Sequence, residues 1–193
     1  MTKTWRVFIV VIAVAAAMFR ATGAQETQPS TAPQFTTDGK LKLPAGYREW
    51  VYVTSGVGMS YSAMAGSMQS PAFDNVFVRP ESYRAFMRTG KWPDGTMFVL
   101  ELRASSDQGS ILKSGRFQKD VVAIEASVKD ERRFPEKWAY FGFDGGTKEA
   151  SPFPKSAGCL SCHQQHAAVD NTFVQFYPTL LEVAKKKGTF KGE

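Results

Sequence analysis

From about residue 50 to residue 143 the apolar positions fall in short runs of strand-forming residues. Residues 50–53, 76–78, 97–102, 121–126 and 138–143 are β-branched or aromatic runs of this kind. Pro93-Asp94-Gly95, Gln108-Gly109-Ser110 and Gly145-Gly146 separate them as turn signals. One stretch interrupts the strands. Between Pro80 and Thr89, Tyr83, Phe86 and Met87 recur at spacings of three and four, with Pro80 placed to open a helix and Gly90 to stop it. After Gly145 the texture changes. Pro152, Pro154 and Gly158 predict a loop, residues 159–169 a helix, and residues 178–187 a last helix between Pro178 and Gly188. Strands followed by helices predict an α+β fold, a small antiparallel β-sheet with flanking helices. A strand-rich middle excludes a four-helix bundle.

The N-terminus has a different pattern. Residues 7–19 are an unbroken apolar run behind Lys3 and Arg6, too short to span a bilayer comfortably. Thr22 and Ala24 offer small residues for cleavage, so residues 1–24 are expected to be an export signal and the domain to lie in the periplasm. An uncleaved anchor is the alternative, which Arg20 disfavours by interrupting the run. Residues 25–38, rich in Gln, Thr, Pro and Ser, read as a flexible leader, and residues 39–190 as one domain. Loss of Lys3, Arg6 and Arg20, with no acid, lowers the formal charge from +6 to +3. That balance gives no case for nucleic-acid binding. Lys185, Lys186 and Lys187 suit a helix C-terminus, where cations meet the macrodipole; a docking patch for an acidic redox partner is the other reading.

Chemistry concentrates in Cys159-Leu160-Ser161-Cys162-His163. The chain has two cysteines and two histidines, and three of these four residues lie here. The spacing is that of c-type haem attachment, in which two thiols add to the porphyrin and the adjacent imidazole ligates the iron. This makes the second predicted helix, in the C-terminal part of the chain, a haem-binding one, carrying one covalent haem c. The alternatives are a redox dithiol or a disulfide. A structural zinc site needs about four ligands, more than these residues supply.

The opposite face of the iron is less determined. His166 lies one turn beyond His163 on the same helix face, and a rigid helix cannot place both on opposite faces of one porphyrin. His166 is therefore expected near the ligand or at the surface. Met59, Met64, Met68, Met87 and Met97 are the candidate sulfur ligands. A methionine there favours electron transfer; an open position favours binding of a small molecule.

Several stretches together resemble the cytochromes P-460 and the related cytochromes c′-beta. They are Leu-Pro-Ala-Gly-Tyr-Arg-Glu-Trp-Val at 43–51, Arg-Pro-Glu-Ser-Tyr-Arg at 79–84 and Thr-Gly-Lys-Trp-Pro-Asp-Gly-Thr at 89–96. Glu-Ala-Ser-Val-Lys-Asp at 125–130, the haem motif and Phe-Val-Gln-Phe-Tyr-Pro at 173–178 complete the set, so the resemblance covers about residues 39–186. It implies a homodimer and a pentacoordinate haem with His163 as proximal ligand. Cytochromes P-460 carry a lysine cross-linked to the porphyrin and oxidise hydroxylamine. The cytochromes c′-beta lack that activity and bind nitric oxide in an apolar pocket. Here Leu100 occupies the lysine's place, and leucine cannot form the link.

Strand alternation puts Phe98, Leu100 and Leu102 on one face. That face either packs an ordinary core or forms an apolar wall over the haem, with Phe98 and Leu100 contacting it. Such a wall offers no hydrogen bond to a bound oxygen and no base for hydroxylamine. The leading expectation is an open iron that binds nitric oxide or a similar small nitrogen or oxygen ligand. A hydroxylamine or nitric-oxide oxidoreductase, an electron carrier serving a redox partner protein, and a haem-free disulfide protein are the alternatives. Lys155, in the loop 151–157, is the candidate polar group, against an ordinary solvated role. Glu101 and Glu125 are carboxylates in strands; an edge position or a partner such as Arg103 accounts for them without a proton-relay role.

Overall fold

A computed structural model describes residues 32–60 and 70–192. The expected export signal, residues 1–24, and Met64 and Met68 lie outside the described residues. The centre is an antiparallel sheet of five strands in sequence order: β2 (Val51–Val57), β3 (Phe73–Val78), β4 (Met97–Ser106), β5 (Phe117–Lys129) and β6 (Trp138–Gly142). A two-stranded pair, β1 (Leu41–Lys42) with β7 (Glu149–Ala150), lies beside it. The helices are α1 (Pro80–Thr89), α2 (Cys159–His166) and α3 (Pro178–Lys187). This is the predicted α+β architecture. The five strand runs are recovered; four are longer than predicted, β4 and β5 because cross-strand pairing carries them out to Ser106 and Phe117, past their apolar stretches, whereas β6 ends one residue early at Gly142.

Alternation along β4 divides two cores. Met97 and Val99 face a cluster with Leu41, Tyr47, Val128 and Phe141. Phe98 faces the other cluster, with Phe86, Trp92, Trp138, Tyr177 and Leu180. The second cluster joins the sheet to the helices. Phe86, fully buried on α1, stacks on Trp92 at 4.1 Å between ring centroids, and Trp92 meets Phe98 edge-on at 4.8 Å. Helix α1 ends where predicted, at Gly90 with φ 69°. A Cβ there would lie 2.6 Å from Cβ of Lys187, so glycine also lets the C-terminal ends of α1 and α3 meet.

Residues 32–38, the described end of the predicted leader, are tied to the first cluster. Phe35 bridges to Leu41, packs against Phe134 and Phe141, and lies 4.1 Å beneath the guanidinium of Arg133. Helix α2 is shorter than predicted, ending at His166 rather than Val169. Ala167 is extended, and the Gln175 side chain takes over the freed backbone groups. Its Oε1 accepts from Ala168 N at 3.1 Å and its Nε2 donates to His166 O at 2.8 Å.

Candidate haem site

A cavity of about 590 Å³ separates the sheet from α2 and the loop behind it. On the sheet side β3 and β4 contribute Val76, Phe98, Leu100 and Leu102. On the helix side Cys159, Cys162, His163, Phe173 and Tyr177 close it. Two free thiols at positions i and i+3 of α2 therefore reach one apolar cavity, with the histidine beside them.

The local fold orients that histidine. Beyond α2 the chain reverses in a two-residue turn, in which Val169 and Thr172 bridge each other across Asp170 and Asn171. Both turn residues have positive φ, 43° and 58°, a region that Asp and Asn tolerate better than other side chains. The turn presents the Asn171 carbonyl to Nδ1 of His163 at 2.8 Å. A carbonyl can only accept, so Nδ1 carries the proton and Nε2 keeps its lone pair. Tyr140 and Phe173 hold the ring from its sides at centroid distances of 4.4 Å and 4.3 Å. Burial holds the His163 pKa below its usual value, against the opposing pull of the Asn171 hydrogen bond, and so favours the neutral imidazole that a metal needs. Burial likewise raises the Cys159 thiol, with Glu125 and Cys162 adding to it.

The sheet side is not uniformly apolar, which corrects the expectation of a distal wall without a base. Glu125 of β5 lies opposite Leu100 in the ladder and lines the cavity, as do Asp74 and Thr54. The surrounding protein raises the Glu125 carboxyl above its usual pKa, and the negative charges of Asp144 and Asp74 push it further. Burial raises Asp74 as well. Arg103 does not serve Glu125, and β5 is an interior strand. Arg103 pairs instead with Glu101, at 2.5 Å on the opposite face. Alternation sends Glu101 away from the cavity, where Tyr47 and Arg48 also donate to it.

Other predicted residues sort by position. Met59 lines the cavity, and Gly56 makes room for it, since a Cβ there would collide with the Met59 thioether. Met97 is fully buried in the other core, and Met87 is exposed on α1. Lys155 is 79% exposed and bonds Glu136 at 2.6 Å, the solvated role. His166 is exposed on α2. Among the described residues no three His, Cys, Asp or Glu side chains cluster as a metal site. Glu125 could have been placed from sequence by pairing β5 against β4 in register. The role of Asn171 could not, because its backbone carbonyl, not its side chain, does the work.

The cavity volume falls within the range of roughly 300–1,000 Å³ usual for small-molecule and cofactor sites. Its paired thiols, its neutral imidazole with Nδ1 engaged and its largely apolar lining fit a haem. These features define a c-type haem protein. The family model for Cytochrome P460 matches residues 44–174, and the chain belongs to that family. Curated proteins yield no match to the chain.

Proposed function

We propose that the chain is an exported, periplasmic monohaem protein that carries haem c covalently through Cys159 and Cys162. His163 ligates the iron on the helix side. The sheet side receives nitric oxide or a similar small nitrogen or oxygen ligand at an open position. Bound there, the haem supplies a metal centre that takes a small ligand and exchanges one electron. Asn171 holds the imidazole proton at Nδ1. Phe98, Leu100, Leu102 and Val76 exclude water from the sheet side. A homodimer and a redox partner protein belong to the same reading.

The observation that carries this reading is Leu100. It lines the cavity at the place of the family's cross-linking lysine and brings no amine to the porphyrin edge. The test is the optical spectrum of the purified ferrous protein before and after nitric oxide. An ordinary five-coordinate spectrum that shifts on adding the gas supports the reading. A low-spin, sulfur-ligated spectrum that Met59→Leu abolishes would replace it with the electron-carrier reading.

Glu125 favours a second reading, a hydroxylamine oxidoreductase. A carboxyl with a raised pKa in the cavity is placed to take protons from a nitrogenous substrate. Turnover of hydroxylamine by the haem-loaded protein with an electron acceptor would support it, and its absence would remove it.

A further inference from the structure

Lys129 sits at the end of β5 with 7% of its surface exposed, and a lysine is rarely buried so far unless paired. Its Nζ donates to the Trp92 carbonyl at 2.9 Å and to Oδ2 of Asp170 at 2.6 Å. The other carboxylate oxygen of Asp170 accepts from Trp138 Nε1 at 3.3 Å. Two residues on, Thr172 is held as firmly. Its hydroxyl accepts from Trp92 Nε1 at 2.8 Å and donates to the Val169 carbonyl at 2.6 Å. Both flanks of Asn171 are therefore fixed from the sheet side of the molecule. Asn171 is the residue between them, and its carbonyl bonds His163.

A turn with two positive φ angles does not hold such a carbonyl rigidly by itself; the neighbouring anchors over-determine it. We propose that Lys129 is a positioning residue for His163. It acts through Asp170 and the Asn171 carbonyl to set how strongly the axial imidazole donates to iron. The inference rests on His163 being the haem ligand. Hydrogen bonds to the outer nitrogen of a ligating histidine fix its orientation and raise its basicity, and their supports matter for the same reason. Glu131, at 3.4 Å and 43% exposed, is the solvent-side neighbour of Lys129.

The test uses haem-loaded protein and reads two quantities that a purely structural role would not move. These are the iron–histidine stretching band of the ferrous protein by resonance Raman and the reduction potential. Lys129→Met loosens the turn, weakens the Nδ1 hydrogen bond, lowers the stretching frequency and shifts the potential positive. Asp170→Asn keeps a residue that accepts positive φ and can still accept from Trp138, and it moves both readouts in the same direction. Glu131→Gln leaves both unchanged. Folded Asp170→Asn and Lys129→Met proteins with the wild-type band and potential, whatever their melting temperatures, would overturn the inference. If Lys129→Met does not fold, Asp170→Asn decides it alone. A wild-type protein that shows no haem absorption after purification would instead overturn the haem reading, and this inference with it.

Discussion

Glu101→Gln tests whether β4 is locked from the face away from the cavity. Glu101 is 2% exposed and takes donors from Tyr47, Arg48 and Arg103, the arginines at 2.5 Å. Breaking a buried ion pair costs about 3–5 kcal/mol when a charge is left stranded. Here the stranded groups have an escape. Arg48 is 53% exposed and Arg103 26%, so both can turn toward water, and glutamine still offers Tyr47 an acceptor. The expected loss is therefore about 2–3 kcal/mol at neutral pH, or roughly 5–10 °C in melting temperature for a domain of this size. Burial alone would raise the Glu101 carboxyl, but the hydrogen bonds from Tyr47, Arg103 and Arg48 outweigh it and hold its pKa below the usual 4.5. A lowered folded-state pKa contributes stability above the unfolded value, and that stability is lost as pH falls through the folded one. The difference between wild type and variant should thus be full above about pH 4.5 and close in stronger acid. Urea unfolding of the haem-loaded proteins across pH measures it, and the visible spectrum should not change. A loss below about 1 kcal/mol at neutral pH, or one that persists undiminished in acid, would refute the reasoning.

Leu100→Lys returns an amine to the family's cross-linking place. The haem-loaded variant should show a red-shifted Soret band and a second porphyrin link by mass spectrometry; an unshifted band would contradict the placement of Leu100 against the haem. Glu125→Gln should keep nitric oxide binding and abolish any hydroxylamine turnover, both read by optical kinetics. Its effect on stability has the opposite sign to that of Glu101→Gln. The folded-state pKa of Glu125 is raised, so wild type loses stability as pH rises through it. The variant should melt higher than wild type at about pH 7 and match it at about pH 4. Thr172→Val leaves Trp92 Nε1 without its acceptor and should cost about 1–3 kcal/mol in urea unfolding, whereas a neutral result would show that the bond at 2.8 Å contributes nothing.

Much of this was legible along the chain because it is encoded locally. Helix α1 starts at a proline and stops at a glycine that must adopt positive φ, and no distant residue is needed to see either. The alternation of β4 showed which residues share the face with Phe98 and Leu100, and the Cys-Leu-Ser-Cys-His spacing marked α2 as the candidate haem helix. What the alternation could not show is what faces Leu100 across the ladder. Glu125 is twenty-five positions away and reaches the cavity through register, which depends on the whole β4–β5 hairpin. The early end of α2 and the turn at Asp170 and Asn171 are likewise decided by Gln175, Lys129 and Trp138, from other parts of the chain.

The denatured mass of the exported, purified protein tests the central claim most directly. The account predicts a polypeptide heavier by one haem, with the added mass mapping to the peptide that contains Cys159 and Cys162. An unmodified chain, with those thiols free or joined to each other, would contradict it.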